Sequence, residues 1–403
     1  MNISFDSLES RTGRQRLLNR VVIALWVTVL LIIFCRVALF YLQRDNFLVY
    51  VDAGLKWINA QRLYSTTRGF VYSPLIAACF VPFTFLPGNI GAILWRFLNE
   101  AIFIGTVSWW VKIGLHNRIP KSSSWLVFLL LLPLSLGNFN NGQVNPLLIA
   151  LLMIAVLAAY SKRWTISAVC VGIAAYLKIY PLAIGLLLVL IYPRQLGWRL
   201  AVTLFLLGAV PFVLQQPAYV FEQYQRWFSS RAADNRAITM DLMNLTMVLK
   251  AVHIILSPHA FLVIQLLAGA AVAAACLFGR LRKWAEERLL VCLFTLGSCW
   301  MLLFGPATED ATYVMLAPAL VFALVQAFHQ PTPSWMRYSL CVSFVLLLLA
   351  QVLTSYFSYK KGVYSMSVEP FGALIFAVCA VPWILTSSLW NRYAGGEVEG
   401  RQN

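Results

Sequence analysis

The chain has 403 residues, of which 61% are hydrophobic and 11% are charged, and its formal net charge is +16. A mean hydropathy of +0.76 excludes a soluble globular protein and predicts one integral-membrane domain. The excess of cations does not indicate a nucleic-acid partner, because Lys and Arg lie in short gaps between apolar runs, as they do beside membrane helices. The eight cysteines lie in apolar runs without a C-x-x-C pair, and the four histidines are scattered, so we expect no disulfide, metal or other cofactor.

Twelve apolar runs predict an all-α, polytopic bundle of about twelve transmembrane helices, since about 20 apolar residues cross a bilayer. The runs are 21–43, 91–112, 124–139, 144–160, 164–178, 180–193, 198–215, 258–279, 289–305, 312–329, 337–354 and 370–389. The first run is too long for the core of a signal peptide, so we expect it to remain as a helix. The predicted organisation is a cytoplasmic N-terminal segment (1–20), one transmembrane domain (21–389) and a cytoplasmic C-terminal tail (390–403).

Positive charge orients this bundle. Most Lys and Arg residues lie in the two terminal segments and in every second loop, including those near residues 117 and 283, which places these segments and both termini in the cytoplasm. The opposite, outer side carries three longer loops at 44–72, 216–243 and 355–369. The segment 73–87 is apolar but contains three prolines, so we predict an interfacial or re-entrant hairpin there rather than a crossing.

The first outer loop predicts a helix on the membrane surface, because apolar residues recur at helical spacing from Phe47 to Leu55. Asp45 precedes this helix, and its carboxylate either caps the helix or serves as a general base at the interface. In the next membrane helix, Arg96 stands four residues before Glu100. That spacing favours a mutual ion pair, while Arg96 is also suited to hold an anion bidentately.

Lys178 lies between two apolar runs, where an ionisable group costs about 2.5–3.5 kcal/mol unless it faces a cavity or a partner. Its ammonium group either snorkels to the headgroups or contacts a phosphate. The segment 137–145 holds four asparagines and one glutamine just before an apolar helix. Capping explains some of these amides, whereas Gln143 and Asn145 at the helix start suit the hydroxyls of a sugar.

These motifs together resemble those of glycosyltransferase family 87, membrane-embedded GT-C enzymes related to polyprenol-phosphate-mannose-dependent mannosyltransferases. The matching pieces span residues 45–315 and lie at 49–50, 53–54, 63–64, 69–75, 142–145, 177–181 and 306–313. The Gln-x-Asn and Lys-x-Tyr-Pro elements in combination are fairly specific. The resemblance implies a GT-C-type helical bundle with its active site on the outer face.

The resemblance further implies a hexosyltransferase that moves a sugar, mannose by analogy, from a polyprenyl-phosphate donor to a hydroxyl of a lipid or glycan acceptor, with inversion and without a metal. Its partners would be this donor, this acceptor and membrane lipids. Lys178 and Arg96 would bind the donor phosphate. The residues expected to contact the sugar or the acceptor are Gln143, Asn145, Tyr72, Tyr180, Glu309, Asp310 and Tyr313.

One position departs from the family pattern. The loop aspartate of the family, its presumed base, stands three residues before the Val of the Val-Tyr pair, and here that position is Asn46. Either Asp45 serves through a one-residue insertion, or Asp52 has taken over, or the site is inactive; we prefer Asp45. The alternative function is a transporter or flippase for a lipid-linked sugar, which the lack of similarity between the two halves disfavours.

Overall fold

The computed structural model describes residues 5–40, 45–64, 69–113, 119–232, 243–305, 308–357 and 368–386, which form α-helices and short 3-10 turns. The helices of the first half are α1 (Phe5–Phe40), α2 (Phe47–Ile58), α3 (Pro74–Cys79), α4 (Gly88–Ile113), α5 (Ser124–Asn140), α6 (Asn145–Tyr160), α7 (Trp164–Leu177) and α8 (Leu182–Ile191). Those of the second half are α9 (Pro193–Leu214), α10 (Pro217–Ala232), α11 (Leu245–Ala251), α12 (Pro258–Leu281), α13 (Glu286–Leu303), α14 (Ala317–His329), α15 (Ser334–Phe357) and α16 (Glu369–Leu385).

Each of the twelve predicted apolar runs coincides with one of these helices, and the prediction of an all-α polytopic membrane protein is confirmed. Within the described residues, five segments are long and apolar enough to cross a membrane on their own, in α1, α4, α9, α12 and α15. The crossing count and the domain limits stay predictions. Helix α1 already begins at Phe5, before the predicted boundary at residue 21, and the tail 390–403 lies outside the described residues.

Helix α6 forms the centre of the bundle. It packs against α4, α7, α13 and the 3-10 turn Asp310–Met315, which we call the outer turn. Thirteen of its sixteen residues are buried, as expected for a helix that is apolar on all sides. Small residues such as Ala150, Ala155 and Ala159 let the neighbouring backbones approach closely.

Helices α7 and α8 are both too short to cross a bilayer. At 1.5 Å per residue they are about 21 Å and 15 Å long, whereas a hydrocarbon core is about 30 Å thick. Helix α7 ends where Lys178 adopts an extended backbone, and Pro181 precedes the first residue of α8. A proline disfavours helical geometry at the residue before it, so this sequence breaks the helix. The break at Lys178 therefore separates two apolar helices that are each shorter than a hydrocarbon core.

The described parts of the first two predicted outer loops, together with the segment 73–87, form a cap of short helices. Helix α2 is present as predicted and packs against α3 and the 3-10 turn Val81–Phe85. These two pieces of the segment 73–87 are about 9 Å and 10 Å long, which favours the interfacial hairpin over a crossing. The buried face of α2 differs in part from the predicted one, because Leu55 is exposed and Trp57 is buried.

Helix α10 fixes the end of the first outer loop by hydrogen bonds to its backbone. The hydroxyl of Tyr219 donates to the carbonyl of Gln61 at 2.7 Å, and the indole of Trp227 donates to the carbonyl of Val71 at 3.2 Å. Between them, Gln223 accepts the backbone N–H of Leu63 at 3.1 Å. The three side chains are spaced four residues apart and so share one face of α10. This face holds the loop that leads to Tyr72.

Candidate active site

Lys178 is held by an amide at the start of α6. Its Nζ donates to Oδ1 of Asn145 at 2.8 Å. The other amide atom of Asn145, Nδ2, donates to the carbonyl of Ala311 in the outer turn at 2.9 Å and to Oδ1 of Asn138 at 3.3 Å. Asn145 is 1% exposed, so these bonds fix its orientation. The amide of Asn145 thus connects Lys178, at the break between α7 and α8, to the outer turn.

The matching motif segments converge around this amide. The backbone N–H of Ser73 donates to the carbonyl of Tyr176, at 3.3 Å, which joins the 69–75 segment to the end of α7. The N–H of Asn46 donates to the carbonyl of Asn141 at 3.0 Å, which joins the Asp45 loop to the amide-rich segment. Segments that are far apart in sequence therefore come together in this part of the structure.

Tyrosines line the space beside Lys178. The ammonium group of Lys178 lies 5.8 Å from the ring centroid of Tyr180, whose hydroxyl contacts Sδ of Met315 at 3.4 Å. The hydroxyls of Tyr72 and Tyr50 lie 3.2 Å apart. Burial raises the pKa of Tyr72 to about 12, with a smaller contribution from the nearby charge of Glu309. These phenols therefore remain neutral hydrogen-bonding groups at physiological pH.

Asp45 forms a buried ion pair with Arg96. The Oδ2 atom of Asp45 lies 2.9 Å from Nη2 of Arg96, with each side chain 1% exposed, and Oδ1 accepts the backbone N–H of Phe47 at 3.0 Å. Burial raises the pKa of the Asp45 carboxyl group above its ordinary value, and the positive charge of Arg96 opposes this rise. The carboxylate thus holds the start of α2 against α4.

The guanidinium group of Arg96 is engaged in contacts that hold the structure together. Besides Asp45, its guanidinium donates to the carbonyls of Phe139 and Asn140, both at 3.0 Å, and of Ala92 at 3.1 Å. The predicted alternative of an ion pair with Glu100 is not formed, since both carboxylate oxygens of Glu100 are buried without a hydrogen bond in the described residues. The predicted contact of Arg96 with the donor phosphate stays a prediction, and this geometry disfavours it.

Gly142 makes the close approach of these groups possible. Its φ of +61° lies in the left-handed region, and a Cβ atom there would stand 2.8 Å from Oδ1 of Asp45 and 3.1 Å from Nη2 of Arg96. Its carbonyl accepts the indole N–H of Trp95 at 2.9 Å. The motif could be recognised in the sequence, but the reason for its glycine could not, because the contact joins three separate segments.

The remaining predicted residues fall into two groups. Gln143 is half-buried and Glu309 is exposed at the outer turn, with Asp310 half-buried beside it. The hydroxyl of Tyr313, in contrast, is buried and donates to the carbonyl of Met243 at 2.6 Å, which is a structural role. Asp52 lies on the exposed face of α2 and pairs with Lys56 at 2.6 Å, so the geometry favours Asp45 over Asp52 as a site residue.

Two residues near the site escaped the sequence reasoning. Asn138 orients Asn145, as described above, and the guanidinium of Arg36 in α1 donates to the same Asn140 carbonyl that Arg96 contacts. The asparagine-rich composition of 137–145 was the signal for Asn138. The sequence held no comparable signal for Arg36. It lies within an apolar run near a helix end, where a single cation more typically snorkels to the headgroups.

A bundle of apolar helices, with a group of buried polar side chains beneath a cap of short helices, defines a polytopic membrane protein. Comparison with known families shows more: the model of glycosyltransferase family 87 matches residues 70–306, more than half of the chain. The chain therefore belongs to glycosyltransferase family 87, and the predicted family is confirmed.

Two relatives share the name polyprenol-phosphate-mannose-dependent alpha-(1-2)-phosphatidylinositol pentamannoside mannosyltransferase. The protein from Mycolicibacterium smegmatis is 32% identical over 119 residues, which are 29% of this chain and 28% of the relative. The protein from Mycobacterium tuberculosis is 27% identical over 117 residues, 28% of this chain and 26% of the relative. The similarity thus spans only about a quarter of each relative's length.

Proposed function

We propose that this protein is a membrane glycosyltransferase that moves a hexose, mannose in the first instance, from a polyprenyl phosphate to an acceptor hydroxyl at the outer face. Family membership and the description of the two relatives support this class of donor. The observation that carries the proposal is the bond between Lys178 and Asn145, at the break between two short membrane helices. A cation held at that depth suits the phosphate of a lipid-linked sugar.

The donor lies, in this proposal, with its phosphate at Lys178 and its tail in the lipid. Helix α8 packs against both α9 and α12 but has only ten residues, and its first turn lies at the level of Lys178. Helix α8 therefore does not extend past Lys178 toward the predicted outer face. Beyond that depth, α9 and α12 present exposed apolar side chains such as Phe205, Val213 and Leu266. A polyprenyl tail would contact these side chains above α8. The sugar would then reach Tyr72, Tyr180 and the side chain of Gln143.

The chemistry requires a counter-charge for the departing phosphate. As the bond between the anomeric carbon and the phosphate oxygen breaks, the polyprenyl phosphate gains a negative charge, which the ammonium group of Lys178 stabilises from a fixed position. The acceptor oxygen attacks from the opposite face, so the anomeric configuration inverts. Because Lys178 supplies the charge, we propose that the reaction needs no metal. The proton of the acceptor goes to a carboxylate, for which Asp45 is the preferred candidate and Asp52 the alternative.

The acceptor is proposed as a hydroxyl of a glycolipid or glycan. The two relatives act, by their printed description, on a phosphatidylinositol pentamannoside. We place its site outside the cytoplasm and both termini inside it, on the charge distribution described above.

The test is a transfer assay with the purified full-length chain in lipid nanodiscs. Polyprenyl phosphates carrying radiolabelled mannose, glucose or arabinose are supplied with a membrane lipid extract, with and without EDTA. We expect labelled glycolipid with the mannose donor, unchanged by EDTA, and its loss in Lys178→Ala. Lys56→Ala, which removes an exposed cation of the outer face, is the matched control. Movement of intact donor across vesicles without cleavage would support a flippase instead.

A further inference from the structure

Helix α10 leaves two large aromatic side chains exposed. Phe221 and Phe228 are 58% and 56% exposed. They stand seven residues apart, which is two turns of an α-helix, so they share one edge of α10. This aromatic edge, formed by Phe221 and Phe228, is distinct from the face that holds the first outer loop through Tyr219 and Trp227.

A third side of α10 is polar. The Nη2 atom of Arg226 lies 2.7 Å from Oε1 of Glu222, and both side chains are partly exposed. Ser229, seven residues after Glu222, is exposed on the same side. At 3.6 residues per turn, the ion pair is centred roughly 130° around the helix axis from the aromatic edge. A helix with one apolar and one charged exposed side suits a boundary between lipid and water.

Helix α10 packs against the side of α9. The hydroxyl of Tyr224 donates to the carbonyl of Gly208 at 3.1 Å, and its ring stacks on that of Phe212 with the centroids 5.9 Å apart. Gly208 stands six residues before the end of α9, which is about 9 Å along the helix axis. Tyr224 follows Phe221 by three residues and precedes Phe228 by four, so the two phenylalanines flank this contact. The aromatic edge therefore lies beside the last turns of α9.

Helix α9 presents an apolar surface that continues to the aromatic edge. It is long and apolar enough to cross a membrane, and near its end Val213 and Leu214 are 86% and 57% exposed. Exposed apolar side chains on such a helix contact lipid. Only Gln215 and Gln216 separate α9 from α10. The surface that covers the aromatic edge is therefore expected to be the one that covers α9.

We propose that α10 is a membrane-interface helix and that its partner is the lipid bilayer itself. Phe221 and Phe228 insert among the acyl chains of the leaflet on the side of the cap, beside the lipid-facing end of α9. The side that carries Glu222 and Arg226 faces water. This contact goes beyond the proposed glycosyl transfer, because it requires neither donor nor acceptor.

The lipid contact has a consequence for the site. The opposite face of α10 holds the loop that leads to Tyr72, through the bonds described above. Its Trp227 also stacks on the ring of Tyr176, with the centroids 6.4 Å apart, and Tyr176 stands two residues before Lys178. A helix anchored in the leaflet thus keeps this loop and the end of α7 in a fixed relation.

The test measures the surroundings of single cysteines on α10 of the full-length chain. The exposed native cysteines, Cys35 and Cys79, are first replaced by alanine, and this background protein gives the blank. Phe221→Cys, Phe228→Cys and the matched control Ser229→Cys are labelled with the fluorophore NBD. The proteins are placed in phosphatidylcholine nanodiscs, with or without lipid that carries a nitroxide near the top of one acyl chain.

We expect NBD at 221 and 228 to emit at shorter wavelength and to be quenched by the nitroxide lipid. NBD at 229 should emit as in water and be quenched by iodide. Quenching of all three positions by iodide alone would place the aromatic edge in water and overturn the proposal. Shielding of 221 and 228 from both quenchers would indicate a protein partner, such as a second copy of the chain, and would overturn it as well.

Hydrogen–deuterium exchange checks the consequence for the loop. Phe221→Gln combined with Phe228→Gln removes the aromatic edge but keeps good helix formers on α10. In nanodiscs, the backbone N–H of Leu63, which Gln223 accepts, should exchange faster than in the parent, while α6 exchanges as before. Ser229→Ala should match the parent at Leu63. Parent-like exchange in the double variant would overturn the role of lipid in holding this loop. Both measurements need no turnover, so their outcome is independent of the proposed glycosyl transfer.

Discussion

The carboxylate of Asp45 and the guanidinium of Arg96 lie 2.9 Å apart, and both side chains are 1% exposed. This pair joins the first outer loop to α4, and Arg96 extends the connection to the carbonyls at the end of α5. A charge buried at such a position is costly unless its partner and its hydrogen bonds are present. The pair therefore fixes how the cap of outer helices is seated on the bundle.

Asp45→Asn should destabilise the protein, because it leaves the charge of Arg96 buried without its counter-charge. Removing one partner of a buried pair typically costs about 3–5 kcal/mol. We expect a lower midpoint in thermal unfolding of the detergent-purified protein, with Arg96→Ala at least as severe. Asp52→Asn is the control, since its exposed pair with Lys56 contributes about 0–1 kcal/mol. An unchanged midpoint in Asp45→Asn would contradict a structural role for this pair.

Gly142→Ala should also be destabilising, by about 1–3 kcal/mol, because the new Cβ would collide with the ion pair and the left-handed backbone is strained for alanine. Gly105→Ala is a matched control on α4, where an added Cβ meets no atom within 4 Å. Alanine at that helical position should be neutral or stabilising. Thermal unfolding of both variants checks this, and equal midpoints would mean that the Gly142 segment adjusts without cost.

The positions of the helices could be predicted from the apolar runs, and so could the break at Lys178, because Pro181 stands three residues after it. Asn145 was predicted as a site residue from its amide at the start of an apolar helix. The partner of Arg96 could not be predicted. Local spacing favoured Glu100, whereas the rotation of α4 in the bundle turns the guanidinium toward the Asp45 loop. Such pairings depend on how separate segments pack, which one sequence does not specify.

The orientation in the membrane can be checked with single cysteines. Ala60→Cys and Ser229→Cys lie at exposed positions of the predicted outer face, and Lys283→Cys lies at an exposed position of a predicted cytoplasmic loop. A charged, membrane-impermeant maleimide added to intact cells should label the first two and spare the third until the cells are opened. The parent protein gives the background from its own cysteines. Labelling at 283 in intact cells would reverse the predicted topology.

The last prediction concerns how Asn145 and Lys178 act together. Lys178→Ala should reduce transfer by about 10²–10³, the usual loss when one preorganised electrostatic donor is removed. Lys178→Arg should recover only part of this, because the planar guanidinium cannot occupy the position of a point charge bonded to Asn145.

Asn145→Ala keeps the cation but releases it from its amide, so we expect a smaller loss than in Lys178→Ala, and mainly in kcat. Combining the two changes should cost little more than Lys178→Ala alone, since residues that share one interaction are not additive. Rate measurements on the four proteins, with the unfolding midpoint of each as a check of folding, decide the question. Fully additive losses would show that Asn145 serves the site independently of Lys178.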